Sequence, residues 1–244
     1  MTNFKTPVLE YMSQPVITMG KEVSGADASR RLVEAGISAV GVTDGGPQVV
    51  GVVSRTDLLS AESGETAIGA LMTPGPITVA PDSPLDAAAS LMLQNRVHRV
   101  FVEKDGDIVG VLSTRDLMRA VADKQVKTPA IEIASTSIIR VRPTDPVGLA
   151  VDRLEKANKH GLVVVEDTWP LGIFAQREAL AVKGQDLEAP VESAMNLKVM
   201  SVPPQLPLYR VAQQALQLGV RRILLVEHDI AGVISTFDFA RVVK

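Results

Sequence analysis

Three Ser-x-x-Asp pairs carry the first chemistry legible in this chain: Ser54 with Asp57, Ser113 with Asp116, and Ser235 with Asp238. At a helix start the serine hydroxyl accepts from an N–H three residues on, and the acidic side chain reaches back to the N–H of the serine. Each pair therefore reads as a capping box. The carboxylate also sits where free N–H groups and the helix dipole favour negative charge. Arg99, Arg221 and Arg222 add forked donors suited to phosphate oxygens, against the plainer reading of surface ion pairs or snorkelling stems. No cysteine is present, and His160 and His228 stand singly without metal-ligand spacing. Gly45-Gly46-Pro47 precedes a strand, so it is a hairpin turn and not a phosphate loop. No dinucleotide fingerprint, phosphate-loop lysine or nucleophile elbow occurs, so neither a catalytic residue nor a metal site is expected.

A repeat positions these residues. Gly51-Val-Val-Ser-Arg-Thr-Asp57, Gly110-Val-Leu-Ser-Thr-Arg-Asp116, Gly172-Ile-Phe-Ala-Gln-Arg-Glu178 and Gly232-Val-Ile-Ser-Thr-Phe-Asp238 recur about 60 residues apart. Upstream of three of them lies a short segment ending in methionine, at Met12, Met72 and Met195; the third copy reads Ala130-Ile-Glu-Ile-Ala134 instead. A short strand follows, as in Pro76-Ile-Thr-Val79, and then Pro84, Pro146 or Pro207, read as lying in the first turn of a helix. Leu85, Ala88, Ala89 and Met92 share one helix face, as do Val211, Ala215 and Leu218. Two strands come next, exemplified by Arg99–Val102 and Ile108–Leu112, with Lys104–Asp107 as the turn; a helix, Thr114–Val121, closes the unit. The fold class is α/β, with the order strand, helix, strand, strand, helix in every copy. Units this small should pair to bury their sheets.

The bulk numbers agree. The chain has 244 residues, of which 46% are hydrophobic and only 3% aromatic, so its core is built from Val, Leu, Ile and Ala. A net charge of −3 gives no broad positive field of the kind that drives non-specific nucleic-acid binding. Met1–Glu10 lacks the apolar run of a signal peptide, and no stretch approaches the ~20 apolar residues of a membrane span. A cytoplasmic protein without membrane contact is the expectation.

The repeated pattern resembles the CBS domain, named after cystathionine β-synthase, which occurs in tandem pairs called Bateman modules. The resemblance covers residues 8–61, 68–121, 130–182 and 191–243. It implies two modules, 1–122 and 130–244, joined by a polar linker at 123–129 that ends in Pro129. It further implies that paired repeats bind adenosine-containing ligands such as AMP, ADP, ATP or S-adenosylmethionine as effectors, with no cofactor. In this family the Asp of the Ser/Thr-x-x-Asp element typically binds the ribose hydroxyls, which places Asp57, Asp116 and Asp238 there with Ser54, Ser113 and Ser235. Thr56, Thr18 and Thr78 stand at further ligand positions on the same grounds. A carboxylate suits a diol because each of its oxygens can accept from one hydroxyl. Val97-His98-Arg99-Val100 resembles the Val-His-Arg element of the AMP-activated protein kinase γ subunit, where it meets phosphate; Val220-Arg221-Arg222-Ile223 matches it in the fourth copy, and the first has Ser38 and Ala39.

The third copy departs from the pattern. Ala175 replaces the serine and Glu178 the aspartate, weakening cap and ribose site together. With no effector domain beside the repeats, the output is expected to pass in trans to a macromolecular partner. The alternative is an array that is itself the effector, resembling ribosome-associated dormancy factors. Arg140, Arg142, Lys156, Lys159 and Arg177 around the third copy would then meet RNA phosphates. Against it stands a solvated face balanced by Asp145, Asp152 and Glu155. Trp169, in a turn of that copy, either anchors a partner or folds back onto its sheet. For assembly, a homodimer and a single chain that satisfies the family's disc internally both stand open.

Overall fold

A computed structural model describes residues 3–156 and 161–244. Each repeat builds the expected strand, helix, strand, strand, helix. In repeat two, Thr78–Val79 runs parallel to Arg99–Lys104, which pairs antiparallel with Asp107–Ser113. The same sheet recurs in repeat three as Arg140–Val141, Gly161–Glu166 and Trp169–Ala175, and in repeat four as Met200–Val202, Arg222–Val226 and Ile230–Ser235. Repeat one uses Thr18–Gly20, Ala39–Thr43 and Val49–Ser54, and gains a fourth strand, Thr73–Pro74. The repeat-two hairpin is tighter than expected. Its strands run on to Lys104 and Asp107, and only Asp105 and Gly106 turn, both at positive φ, as a two-residue Asp-Gly turn requires.

The expected helix faces are buried. Leu85, Ala88, Ala89 and Met92 are fully enclosed on the Leu85–Gln94 helix, and Val211 and Ala215 on the Leu208–Leu218 helix. Leu218 is the exception at 55% exposure. It is the last residue before Gly219, which closes the helix in the left-handed conformation, and Ala212 completes the buried face instead. Pro84 and Pro207 occupy the cap position, not the first turn. A proline cap has no side-chain acceptor, and the first free N–H groups find backbone carbonyls: Leu85 donates to Thr6 and Asp86 to Phe4, while Leu208 donates to Thr128 and Tyr209 to Val126.

Those carbonyls belong to arms preceding other repeats. The arm before repeat one lies on repeat two, where Ser13 bridges Val111. The arm before repeat two lies on repeat one, through Thr73–Pro74. Likewise Ser135 bridges Val233 of repeat four, and Asn196 bridges Ile173 of repeat three. This exchange explains the recurrent methionine and glycine. A Cβ at Gly51 would meet Met72 Sδ at 2.5 Å, at Gly110 Met12 Sδ at 2.6 Å, and at Gly172 Met195 Sδ at 2.5 Å. At Gly232 the neighbour is Ala134, the one arm without a methionine, at 2.9 Å.

The chain forms two compact units, each discontinuous in sequence: residues 1–16, 77–138 and 198–244, and residues 17–76 and 139–197. The first holds repeats two and four, and one continuous apolar core runs through both, from Leu85 and Leu117 to Leu208 and Phe239. The stretch 123–129 belongs to this unit, with Val126 buried. The second unit holds repeats one and three around two cores. Leu180 of repeat three enters the core of repeat one, and Leu59 of repeat one packs on that of repeat three.

Candidate functional site

The three aspartates make nearly identical contacts. Asp57 Oδ2 accepts from Ser54 N and Ser54 Oγ, both at 2.7 Å. Asp116 Oδ2 does the same with Ser113 at 2.8 and 2.7 Å, and Asp238 Oδ2 with Ser235 at 2.8 and 2.7 Å. The serine hydroxyl thus donates to the carboxylate, and its acceptor role in the cap is minor: Asp57 N–H reaches Ser54 Oγ only at 3.4 Å. Capping fills Oδ2 and leaves Oδ1.

That oxygen differs between repeats. Asp57 Oδ1 has no hydrogen bond among the described residues. Asp116 Oδ1 has Arg119 at 3.9 Å, beyond hydrogen-bond reach, whereas Asp238 Oδ1 is held by Arg241 at 3.2 Å. Among the described residues the cap thus leaves Oδ1 without a hydrogen bond at Asp57 and Asp116, and engaged by Arg241 at Asp238. In repeat three the longer Glu178 still reaches Ala175 N at 3.2 Å, so the backbone half of the cap survives without a serine.

Strand register brings cations to two of the four sites. Arg99 stands opposite Ser113 and Arg222 opposite Ser235, whereas Ala39 faces Ser54 and Gly161 faces Ala175. Both arginines lie in the unit formed by repeats two and four. Burial, and then the charge of Arg221, pull the Arg99 guanidinium down to about 10, with Asp116 opposing the shift. Arginines from two repeats are thus within electrostatic reach of each other and of one ribose-candidate carboxylate. His98 packs on Phe237 with ring centroids 5.0 Å apart, tilted by 57°. Thr78 lies on the outer strand, paired with Phe101 and so two residues along from Arg99, half-buried; Thr18, paired with Gly41, is exposed. Thr56 accepts a hydrogen bond from Gln176 at 3.1 Å.

The basic residues of repeat three are in part offset by acidic neighbours among the described residues. Lys156 is 2.8 Å from Asp152, Arg153 lies 4.0 Å from Asp145 and donates to the Arg140 carbonyl, and Asp145 also accepts from Arg142 N–H. Arg142 and Arg177 are exposed; Lys159 and His160 lie outside the described residues. Trp169 is 70% exposed and does not fold back onto its sheet. No group of metal-ligating side chains and no helix long and apolar enough to cross a membrane occurs among the described residues.

Several contacts went unread in the sequence. Thr114 and Thr236, each following a motif serine, share a buried 3.0 Å hydrogen bond. At the same position repeats one and three carry Arg55 and Gln176. That alternation, with Arg99 and Arg222 beside it, was the available signal that repeat two partners repeat four. Tyr11 donates to Asp123 at 3.1 Å beneath the Arg119 guanidinium, and burial together with Asp123 raises the Tyr11 phenol above its usual range.

The CBS domain family matches residues 8–64, 68–123, 130–183 and 191–244. An uncharacterized 33.4 kDa protein in a ribosomal RNA operon of Thermofilum pendens is 27% identical over 64% of this chain and 59% of its own length. Inosine-5'-monophosphate dehydrogenase of Korarchaeum cryptofilum is 32% identical over 44% of the chain, which spans 22% of that enzyme. The crystal structure of Methanocaldococcus jannaschii MJ1225, presented as a candidate archaeal homologue of the AMP-activated protein kinase γ subunit, superposes with a TM-score of 0.85. That match covers 98% of this chain and 100% of the other at 16% identity, a likeness of fold. The chain belongs to the CBS-domain family, as four copies in tandem.

Proposed function

We propose that this chain is a non-enzymatic regulatory protein that binds adenosine-containing ligands, of the AMP, ADP, ATP or S-adenosylmethionine class, and acts in trans on a macromolecular partner. The observation that carries the reading is the pairing of Arg99 with Ser113 and Asp116, with Arg221 close enough to depress its basicity. Guanidinium groups gathered beside a capped carboxylate suit the phosphate oxygens of a nucleotide, whose ribose hydroxyls would meet Asp116 Oδ1. Repeat one has no arginine on the strand facing Ser54, since Ser38 and Ala39 fill the matching positions, and carries Arg55 beside Ser54 instead.

The modules we assign are repeat one with two, 1–122, and repeat three with four, 130–244, which exchange arms reciprocally. The nucleotide site of Arg99, Arg221 and Asp116 then draws on repeat two of one module and repeat four of the other. A ligand that binds one arrangement of the modules better than another shifts the population toward it, and a partner reads the difference. Of the residues the ribosome-contact reading invokes, Lys156 is offset by Asp152 while Arg142 and Arg177 are exposed, and no observation favours that reading over ligand binding.

Calorimetric titration of the full chain with AMP, ATP and S-adenosylmethionine tests the proposal. Asp116→Ala and Arg99→Met should each weaken ATP binding at least about tenfold, the equivalent of ~1.4 kcal/mol. Unchanged affinity in both variants would overturn the assignment.

A further inference from the structure

The third repeat has lost the serine and aspartate of the ligand motif, yet its last helix makes a set of contacts directed at the motif of repeat one. Lys183 Nζ donates to three backbone carbonyls, Leu58 at 2.6 Å, Leu59 at 2.8 Å and Ala61 at 2.7 Å. These are the free carbonyls at the end of the Arg55–Ser60 helix, whose first turn carries Asp57. That helix is a turn and a half long and has no side-chain device of its own at its C-terminus, where Ala61 is extended. A cation there satisfies the orphan acceptors and complements the negative end of the dipole. Burial holds the Lys183 amine below the usual lysine range, with Glu155 opposing, in keeping with a desolvated ammonium among carbonyls.

Two further contacts reach the same element. Gln176 donates to Thr56 Oγ1, the residue beside Asp57. Leu180, 4% exposed, belongs to the buried core of repeat one. Gln176, Leu180 and Lys183 lie on or just beyond one helix, Gln176–Ala181, whose own motif position holds Glu178. Each contact falls within the unit that repeats one and three form.

We infer that the degenerate third repeat is a positioning element for the adenosyl site of repeat one, with Lys183 and Gln176 as positioning residues that fix the short helix carrying Thr56 and Asp57. This rests on the reading of Asp57 as a ligand residue. With its serine and aspartate lost, the helix of repeat three no longer holds a ligand and instead braces one that does. Occupancy at Asp57 favours the braced state, and the braced state favours occupancy, because the linkage is reciprocal.

The test uses the full chain carrying Asp116→Ala and Asp238→Ala, so that the remaining adenosyl binding reports Asp57. Titration with AMP and with S-adenosylmethionine is then repeated with Lys183→Met, Lys183→Arg or Gln176→Ala added. Lys183→Met should weaken binding roughly fivefold, Lys183→Arg should restore most of it, and Gln176→Ala should weaken it about twofold without affecting folding. In the otherwise native chain, Lys183→Met should leave the Asp116-dependent affinity unchanged. If Lys183→Met and Gln176→Ala lower only the urea midpoint, or weaken every site equally, the contacts are structural and the inference falls. If Asp57→Ala in the same background leaves the binding intact, the ligand reading of Asp57 fails first; loss with Asp57→Ala but not with the repeat-three variants rejects the brace alone.

Discussion

At Asp57, Asp116 and Asp238 one carboxylate oxygen is committed to the cap and the other is not. Oδ2 secures the serine that precedes the helix, and Oδ1 is left to whatever the repeat supplies. Removing the serine hydroxyl and removing the carboxylate should therefore separate. Ser54→Ala should cost about 1 kcal/mol of stability in urea titration and leave most of the ligand affinity, whereas Asp57→Ala should cost a similar stability and abolish adenosyl binding at repeat one. Equal ligand losses in the two variants would mean that the cap, and not the free oxygen, is what binding requires. Arg99 gives a prediction in pH. Its folded value of about 10 lies well below the ordinary arginine range, so the folded state holds this proton less tightly than the unfolded one. The resulting penalty is complete below pH 10 and is relieved as pH rises through the folded value, since there the unfolded chain binds more protons. Arg221→Met should remove part of that penalty and raise the ligand-free melting temperature at pH 8, while weakening ATP binding. Between pH 9 and 11 the ATP affinity of the native protein should fall as Arg99 loses its charge; a flat profile would exclude Arg99 from the anion site. The motif serines and aspartates and the Val-His-Arg element were legible because each is a short run of residues. The division of labour between Oδ1 and Oδ2 was not, because it depends on which lone pairs the cap occupies.

Among the elements, the arms and the strand glycines act as one device. A glycine is required in the strand because a methionine from another repeat's arm lies on it, and the tolerance of that contact differs from site to site. At Gly110 the near atoms are Met12 Sδ and Cγ, with the Ser13 carbonyl at 3.4 Å; at Gly51 the Thr73 carbonyl stands at 2.9 Å. Gly110→Ala should therefore cost roughly 1–3 kcal/mol, much of it recovered in a Met12→Ala background where the side chain no longer obstructs. Gly51→Ala should resist the matching rescue by Met72→Ala, since a backbone carbonyl remains in the way. Denaturant titration of the two double-mutant cycles measures both, and equal rescue would show that the backbone yields at Gly51. The sequence displayed the methionines and the glycines and even the single exception at Ala134, but not that they meet. The partners lie in different repeats, and a periodic pattern records that a residue recurs without recording which copy it touches. The prolines were misplaced by one position for a related reason: their neighbours' N–H groups are satisfied by arms remote in sequence, so a proline cap without a side-chain acceptor is sustainable.

For the molecule as a whole, the four copies are alike in fold and unlike in chemistry, and the difference follows the compact units. Repeats two and four share one continuous core, the buried Thr114–Thr236 pair and the arginines; repeats one and three keep separate cores joined through Leu59, Leu180 and Lys183. The repeat-one helix Arg55–Ser60 should accordingly exchange its amides faster than the longer Thr114–Asp123 helix, and Leu180→Ala should accelerate it further while costing about 2–4 kcal/mol. Hydrogen exchange followed by mass spectrometry reads both, and equal protection of the two helices would show that the split core carries no weakness. If repeats two and four read a nucleotide through Arg99, Arg221 and Asp116, calorimetric titration of the full chain with ATP against its Arg99→Met, Arg221→Met and Asp116→Ala variants will show it. Saturable binding to the native chain should weaken at least about tenfold in each variant. Absence of ATP binding by the native chain, or binding indifferent to all three substitutions, would contradict that reading.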